Sequence, residues 1–204
     1  MKTPRALLVV CMALSSAACS IGRPVEQATT YLIDMPAVPA SAVDRPATEV
    51  LRVGRVHVAA PFGSAGLVYR LDDVRYVTDP YHAFAADPAA MLGVRIADWF
   101  DRTGLFEVVA QPGSVQPAAF VLEINVTALY GDFRPGRPPA AVLALQLALI
   151  DQRGRRPQLV YENSSSRSVG LAAALPEALV QAYGTALAEI LAEVTAGLPA
   201  PDRH

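Results

Sequence analysis

The 204-residue sequence holds two cysteines, three histidines, one tryptophan and a single lysine, Lys2. So few cysteines exclude both a multi-bridge disulfide framework and a cysteine-clustered zinc site. Charged residues make up only 18% of the chain and the net charge is −2, so the broad basic face needed for nonspecific nucleic-acid binding is missing. Catalytic signatures are missing as well: there is no G-x-S-x-G, no H-E-x-x-H, no P-loop and no G-x-G-x-x-G after a strand. What remains is a chain that is 52% hydrophobic, enough for one real core and too much for wholesale disorder.

The first residues read as an export signal. Lys2 and Arg5 form a positive start, Ala6 to Leu14 is an apolar run too short to span a bilayer, and Ser15-Ser16-Ala17-Ala18 brings small residues up to Cys19. Small residues ending directly at a cysteine resemble a bacterial lipobox, with Ser16 where Leu is commonest. That resemblance implies cleavage after residue 18 and acylation of Cys19, and Ser20 in place of Asp points to the outer membrane. An ordinary leader cut near Ala18 would instead leave Cys19 as a lone exported thiol, which is a reactivity liability. Once 1–18 are removed, fifteen arginines face nineteen acidic residues, a balance of −4, and Cys19 is the one remaining cysteine. No intramolecular disulfide can form, so packing must supply the stability.

Residues 19–30 read as a lipidated tether, 31–198 as one domain and 199–204 as a disordered tail. Within the domain, Val50 to Phe62, Leu67 to Arg70 and Arg75 to Val77 have strand character, with Asp72-Asp73 at a hairpin turn. Tyr81 to Ala86 reads as an aromatic loop. Asp87-Pro88 is a helix start and Gly104 a left-handed stop, with Leu92, Ile96, Trp99 and Phe100 on one face. Leu105 to Val109 is a strand candidate. Phe120 to Tyr130 alternates, with Phe120, Leu122, Ile124, Val126 and Ala128 assigned to the core face. Ala141 to Asp151 fits a central strand, and the serine-rich Leu159 to Val169 fits an edge. Pro176 to Leu198 forms a long helix that buries Leu179, Tyr183, Leu187, Ile190, Val194 and Leu198. The expected fold is therefore α/β (α+β): two layers, a mostly antiparallel or mixed sheet covered on one face by two amphipathic helices.

Few residues invite a chemical role. Ser164-Ser165-Ser166 has no histidine near it in sequence and reads as a solvated edge. His57 and His82 show no metal-ligand spacing, and Asp72-Asp73 suits a turn better than acid chemistry. No enzyme, metal or cofactor is expected. The segment from Pro61 to Phe84, by contrast, gathers Phe62, Tyr69, Tyr76, Tyr81 and Phe84 with Arg70, Arg75 and His82. Aromatics with arginines make good interface anchors. Phe62 and Phe84 are assigned to the core, leaving Tyr69, Arg70, Arg75, Tyr76, Tyr81 and His82 as assembly or partner-binding candidates.

The order of features carries one further resemblance. A tyrosine-led strand precedes a strand ending in Ala59-Ala60-Pro61-Phe62. Then come Leu67-Val68-Tyr69-Arg70, Tyr81-His82-Ala83-Phe84-Ala85, Asp87-Pro88-Ala89-Ala90-Met91-Leu92 and Thr103-Gly104-Leu105-Phe106-Glu107-Val108. Over residues 31–198 this resembles the ABC-type transport auxiliary lipoprotein family, which includes the PqiC (YmbA) lipoproteins. The resemblance implies a non-catalytic, periplasm-facing lipoprotein, anchored through acyl chains on Cys19, that serves a lipid or hydrophobic-compound transport system. Its implied partners are an MCE-domain protein, an ABC permease and ATPase, and further copies of itself in a homo-oligomer, with a ring as one form. Two other readings stand beside it. A stand-alone lipid carrier would need a dry cavity along the Leu179–Val194 stripe, and an envelope scaffold or regulator would need none.

Overall fold

The computed structural model describes residues 27–36 and 48–198. The leader, Cys19, most of the tether and the tail 199–204 lie outside them. Strands β1 (Thr29–Tyr31), β2 (Val50–Val58), β3 (Gly66–Arg70) and β4 (Tyr76–Phe84) precede helix α1 (Pro88–Thr103). Strands β5 (Val108–Ala110), β6 (Phe120–Asp132), β7 (Ala140–Asp151) and β8 (Gln158–Gly170) follow, and helix α2 (Pro176–Gly197) ends the domain. Thr29 and Thr30, read from sequence as the end of the tether, thus already belong to the sheet.

The sheet is built around β6. Along one edge β6 pairs with β7 in antiparallel fashion, and β7 pairs with β8 the same way. The other edge is shared: β2 runs parallel beside Phe120 to Val126, and β3 runs parallel beside Gly131 and Asp132. β5 extends the first branch in parallel, while β4 (antiparallel) and then β1 (parallel) extend the second. The sheet is accordingly mixed. Alternation in sequence reports which face a residue occupies and carries no strand direction, so the parallel pairings had no local signature.

Both helices cover one face. Asp87 caps α1 by accepting from the Ala90 N–H at 3.1 Å, Pro88 occupies the first turn, and Gly104 at φ 67° ends the helix. Leu92, Ile96 and Phe100 of α1, with Leu179, Tyr183, Leu187 and Ile190 of α2, are essentially inaccessible. They meet Val53, Leu122, Val126, Leu143, Leu145 and Leu147 in a single core. The indole N–H of Trp99 donates to the Thr195 hydroxyl at 3.0 Å and joins the two helices. The chain beyond β1 is also drawn into this layer. Ile33 is wholly buried, its carbonyl accepts from Arg95 Nε at 2.9 Å, and the Asp34 carbonyl lies directly on Gly184 of α2.

Three sequence expectations change. Tyr81 to Phe84 belongs to β4 instead of a loop, because Asp79 accepts from the Tyr81 and His82 N–H groups in a local kink that also accommodates Pro80. The strand expected at Leu105 begins only at Val108. In β6 a bulge lies between Val126 and Ala128, so Leu129 takes the core position assigned to Ala128 and Tyr130 turns to the helix-free face.

β8 is an edge strand, as expected, yet its serines are not all solvated. Ser165 is buried toward α2 and donates to Glu193 Oε1 at 2.8 Å, Asn163 donates to the same oxygen at 3.1 Å, and Arg167 pairs with Glu193. These bonds clamp the edge strand to the helix.

Two stability measurements test this account. A methyl group at Gly184 has no space against the Asp34 carbonyl, so Gly184→Ala should lower stability by about 1–3 kcal/mol in urea unfolding. Glu193 is held down to about 2 from 4.5 by its bonds from Ser165, Asn163 and Arg167. A depressed carboxylate adds stability that is complete above its unfolded value and lost as pH falls through its folded one. The urea midpoint of Glu193→Gln should therefore lie below that of the wild type near neutrality, with the gap closing between pH 4.5 and about 2.

Candidate functional site

The aromatic and arginine residues between Phe62 and Phe84 do not form one surface. Phe62 and Phe84 are core residues, as expected. Phe84 meets Tyr183 of α2, whereas Phe62 turns the other way, toward Tyr130. The six remaining candidates divide between the two faces of the sheet and the turn that joins β3 to β4.

Arg70 and Tyr76 pair across β3 and β4. Arg70 also lies beside Asp132 of β6, which is in phase with Tyr130 on the helix-free face. Here Tyr130 stacks on Phe62 with ring centroids 5.6 Å apart and meets Tyr76 edge-on at 5.3 Å. The Arg70 guanidinium lies 5.7 Å from the Tyr76 ring, within cation–π range. Tyr76 is 39% exposed, so this cluster reaches the surface. Beside it Arg134 donates to Asp132 at 2.6 Å and to Asp73 at 2.9 Å. The Arg134 bond holds the Asp132 carboxyl below the usual range. Arg75 stands in the turn and pairs with Asp72 at 3.2 Å.

Tyr69 and His82 lie at a second centre, near the start of α2. Tyr69 pairs with Gly131, which packs beneath Leu179 of that helix. Its hydroxyl donates to Asp79 Oδ2 at 2.8 Å, and His82 Nδ1 approaches the same oxygen at 2.8 Å. His82 stacks on Tyr31, whose hydroxyl donates to Glu177 Oε1 at 3.0 Å. Burial and then the Asp79 bond push the Tyr69 hydroxyl well up. Burial alone would raise Asp79, but the Tyr81 N–H, Tyr69 and His82 together hold it below the ordinary carboxylate range. Tyr81 is exposed on β4.

Neither centre assembles catalytic chemistry from the described residues. Among the described residues, His82 bonds Asp79 and no serine, threonine or cysteine side chain. Among the described residues no group of three or more histidine, cysteine or acidic side chains could hold a metal. His57 sits on β2 opposite Asn125, away from His82 on β4. The Tyr69–Asp79–His82–Tyr31–Glu177 chain instead ties β1 and β4 to α2, and the Tyr76–Tyr130–Phe62 cluster offers a rigid, half-exposed aromatic surface. Sequence reasoning missed Tyr130, Asp132 and Arg134 at this surface. Continued past Ala128, the alternation of β6 puts Tyr130 on the core face, and only the bulge turns it away.

Among solved structures, the fold is similar to protein XCC0632 from Xanthomonas campestris, a member of a family of unknown function (DUF330). That chain is 18% identical, with a TM-score of 0.70 over 82% of this chain and 92% of the other. An uncharacterized protein at 19% identity gives a TM-score of 0.60, covering 84% and 98% respectively. The hypothetical protein CT253 from Chlamydia trachomatis gives 0.52 at 12% identity, covering 74% and 95%. At these identities the likeness concerns the fold. No match was found among functionally curated proteins. A family model, however, matches residues 31–195, from the end of β1 to the last turns of α2. With its core domain matched from end to end, the chain belongs to the family of ABC-type transport auxiliary lipoprotein components.

Proposed function

We propose that the protein is a non-catalytic lipoprotein, held at the periplasmic side of the outer membrane by acyl chains on Cys19, that serves a lipid or hydrophobic-compound transport system by docking its other parts. The observation that carries this reading is the family match across the whole described domain. The lipobox-like approach to Cys19 supports the anchor, and acyl chains buried at roughly 0.8 kcal/mol per CH₂ make a multiply acylated cysteine a durable one. No helix among the described residues is long and apolar enough to cross a membrane.

The partners in this reading are an MCE-domain protein, the ABC permease and ATPase, and further copies of the chain. The half-exposed Tyr76, backed by Tyr130, Phe62 and Arg70, is the surface best suited to dock one of them, because rigid aromatics beside arginine are favoured anchors. The lipid-carrier reading is less well supported. The Leu179, Tyr183, Leu187 and Ile190 stripe that would line its cavity is packed to 1% exposure or less.

Two experiments test the proposal. Cys19→Ala should move the protein from the membrane fraction to the soluble periplasm, and retention in the membrane would overturn the anchor. Purification of the tagged protein from its own host in mild detergent should recover an MCE-domain protein, permease or ATPase, with Tyr76→Ala lowering that recovery roughly tenfold. Near-stoichiometric lipid without such a partner would favour the carrier, and neither one would favour the scaffold.

A further inference from the structure

One end of the domain brings exposed apolar side chains beside arginines. Three connections meet there: the β3–β4 turn at 71–75, the β6–β7 loop at 133–139 and the β8–α2 connection at 171–175. Arg134 bonds Asp73, the Phe133 N–H donates to the Arg70 carbonyl, and the Leu171 N–H donates to the Pro139 carbonyl, so the three are bonded to one another. Two of them expose an apolar side chain. Val74 is 89% exposed at the turn, and Leu175 is 55% exposed at the end of Leu171-Ala172-Ala173-Ala174-Leu175, a run without a polar side chain. Val115 and Leu159 are as exposed at the other end of the sheet, so exposure alone does not distinguish the two ends. At the end that carries Val74 and Leu175, Arg75 and Arg137 also stand exposed. The acids at this end are engaged: Asp72 with the Val74 and Arg75 N–H groups and with the Arg75 guanidinium in an exposed pair, Asp73 with Arg70 and Arg134, Asp132 with Arg134, and Glu177 with Tyr31.

A second, independent observation says what covers this end. β1 runs parallel to β4 with Thr29 beside His82, so the chain before Thr29 leads toward the Tyr76 end of β4, where the β3–β4 turn lies. The distance along β4 from His82 to Tyr76 is about 20 Å. The residues between Cys19 and Thr29 can span at most about 35 Å. An anchor at Cys19 is therefore within reach of the surface formed by these connections.

We propose that this end rests on the bilayer that holds the acyl chains, with Val74 and Leu175 entering the headgroup region and Arg75 and Arg137 reaching its phosphates. The proposal rests on the reading of Cys19 as the anchor, and it assigns the domain an orientation. The β6–β7 loop faces the membrane, and the β7–β8 turn points away from it. Side chains with an apolar body or tip beside arginine suit this interface, where the arginine stem lies along the apolar zone and its head stays with phosphate.

The test supplies the anchor chemically, so that it does not depend on acylation in the cell. The mature chain from Cys19 onward is coupled through its one thiol to maleimide lipid. The vesicles are phosphatidylethanolamine and phosphatidylglycerol carrying brominated acyl chains, and the probe is a tryptophan placed at one position at a time. Emission from Val74→Trp and Leu175→Trp should fall roughly twofold against unbrominated vesicles, as expected for an indole at the interface. Val115→Trp should be unchanged. Val115 is 95% exposed, in the loop whose Gln116 carbonyl accepts from Arg52, about 36 Å from this end along β6. The native Trp99 is buried against Thr195 and supplies a constant background. All three positions are exposed, and an unchanged far-UV circular dichroism spectrum confirms each fold. Quenching at Val74 and Leu175 no greater than at Val115 would overturn the proposal. A failure of the anchor itself would appear separately, in the Cys19→Ala fractionation.

Discussion

The bulge at Thr127 in β6 is the constraint on which the rest of this architecture depends. Before it, β6 pairs with β2 and sends Leu122, Ile124 and Val126 to the helices. After it, the phase is reversed, Leu129 takes the core position, and β3 can join the same edge at Gly131. One strand thereby carries two branches of sheet, because an extra residue bends the strand and re-aims every side chain beyond it. Without the shift, Tyr130 would point into the core, and the cluster it forms with Phe62 and Tyr76 could not exist.

The second branch is small, and its hold on the core explains where polar bonds are concentrated. β1 and β4 lie at the margin of the sheet, and they are fastened by the Tyr69–Asp79–His82 bonds and by Tyr31 on Glu177. Immediately after β1, Ile33 is inserted between the helices, with Arg95 holding its carbonyl and Gly184 leaving room for that of Asp34. The segment that follows the tether is thus joined directly to the core. At the opposite margin Glu193 gathers Asn163, Ser165 and Arg167, which secures β8 and leaves its outer edge polar. At these two of the sheet's three edges, β5 being the third, side chains reaching to α2 hold the outer strands, a natural solution where edge strands would otherwise present unpaired backbone.

These features suit a part that positions others. The family supplies a component auxiliary to ABC-type transport, and the domain has a densely packed core, an aromatic cluster on its helix-free face and, at one end, the exposed side chains of Val74 and Leu175. In the proposed arrangement the anchor sets the domain's height and these two side chains set its tilt, so the Tyr76 cluster would be presented at a defined orientation above the membrane. Rigidity serves that role better than an internal cavity would.

The sequence by itself determined the elements whose signals are local. Asp87-Pro88 and Gly104 mark α1 because capping is a matter between residues a few positions apart. The apolar run from Ala141 marks β7 as a central strand, and the polar run marks β8 as an edge. The buried stripe of α2 follows from helical periodicity. The ordered short motifs between Tyr31 and Val108 also sufficed to identify the family. Only the tertiary structure decided which strands run parallel, where β6 shifts phase and which face each aromatic occupies. A bulge at Thr127 or a kink at Asp79 is stabilised by partners far along the chain, so no pattern in a short window announces it. That is why Tyr69 and His82 part company with Arg70 and Tyr76. They are neighbours in sequence, and the pleat and the kink send them to opposite sides of one sheet.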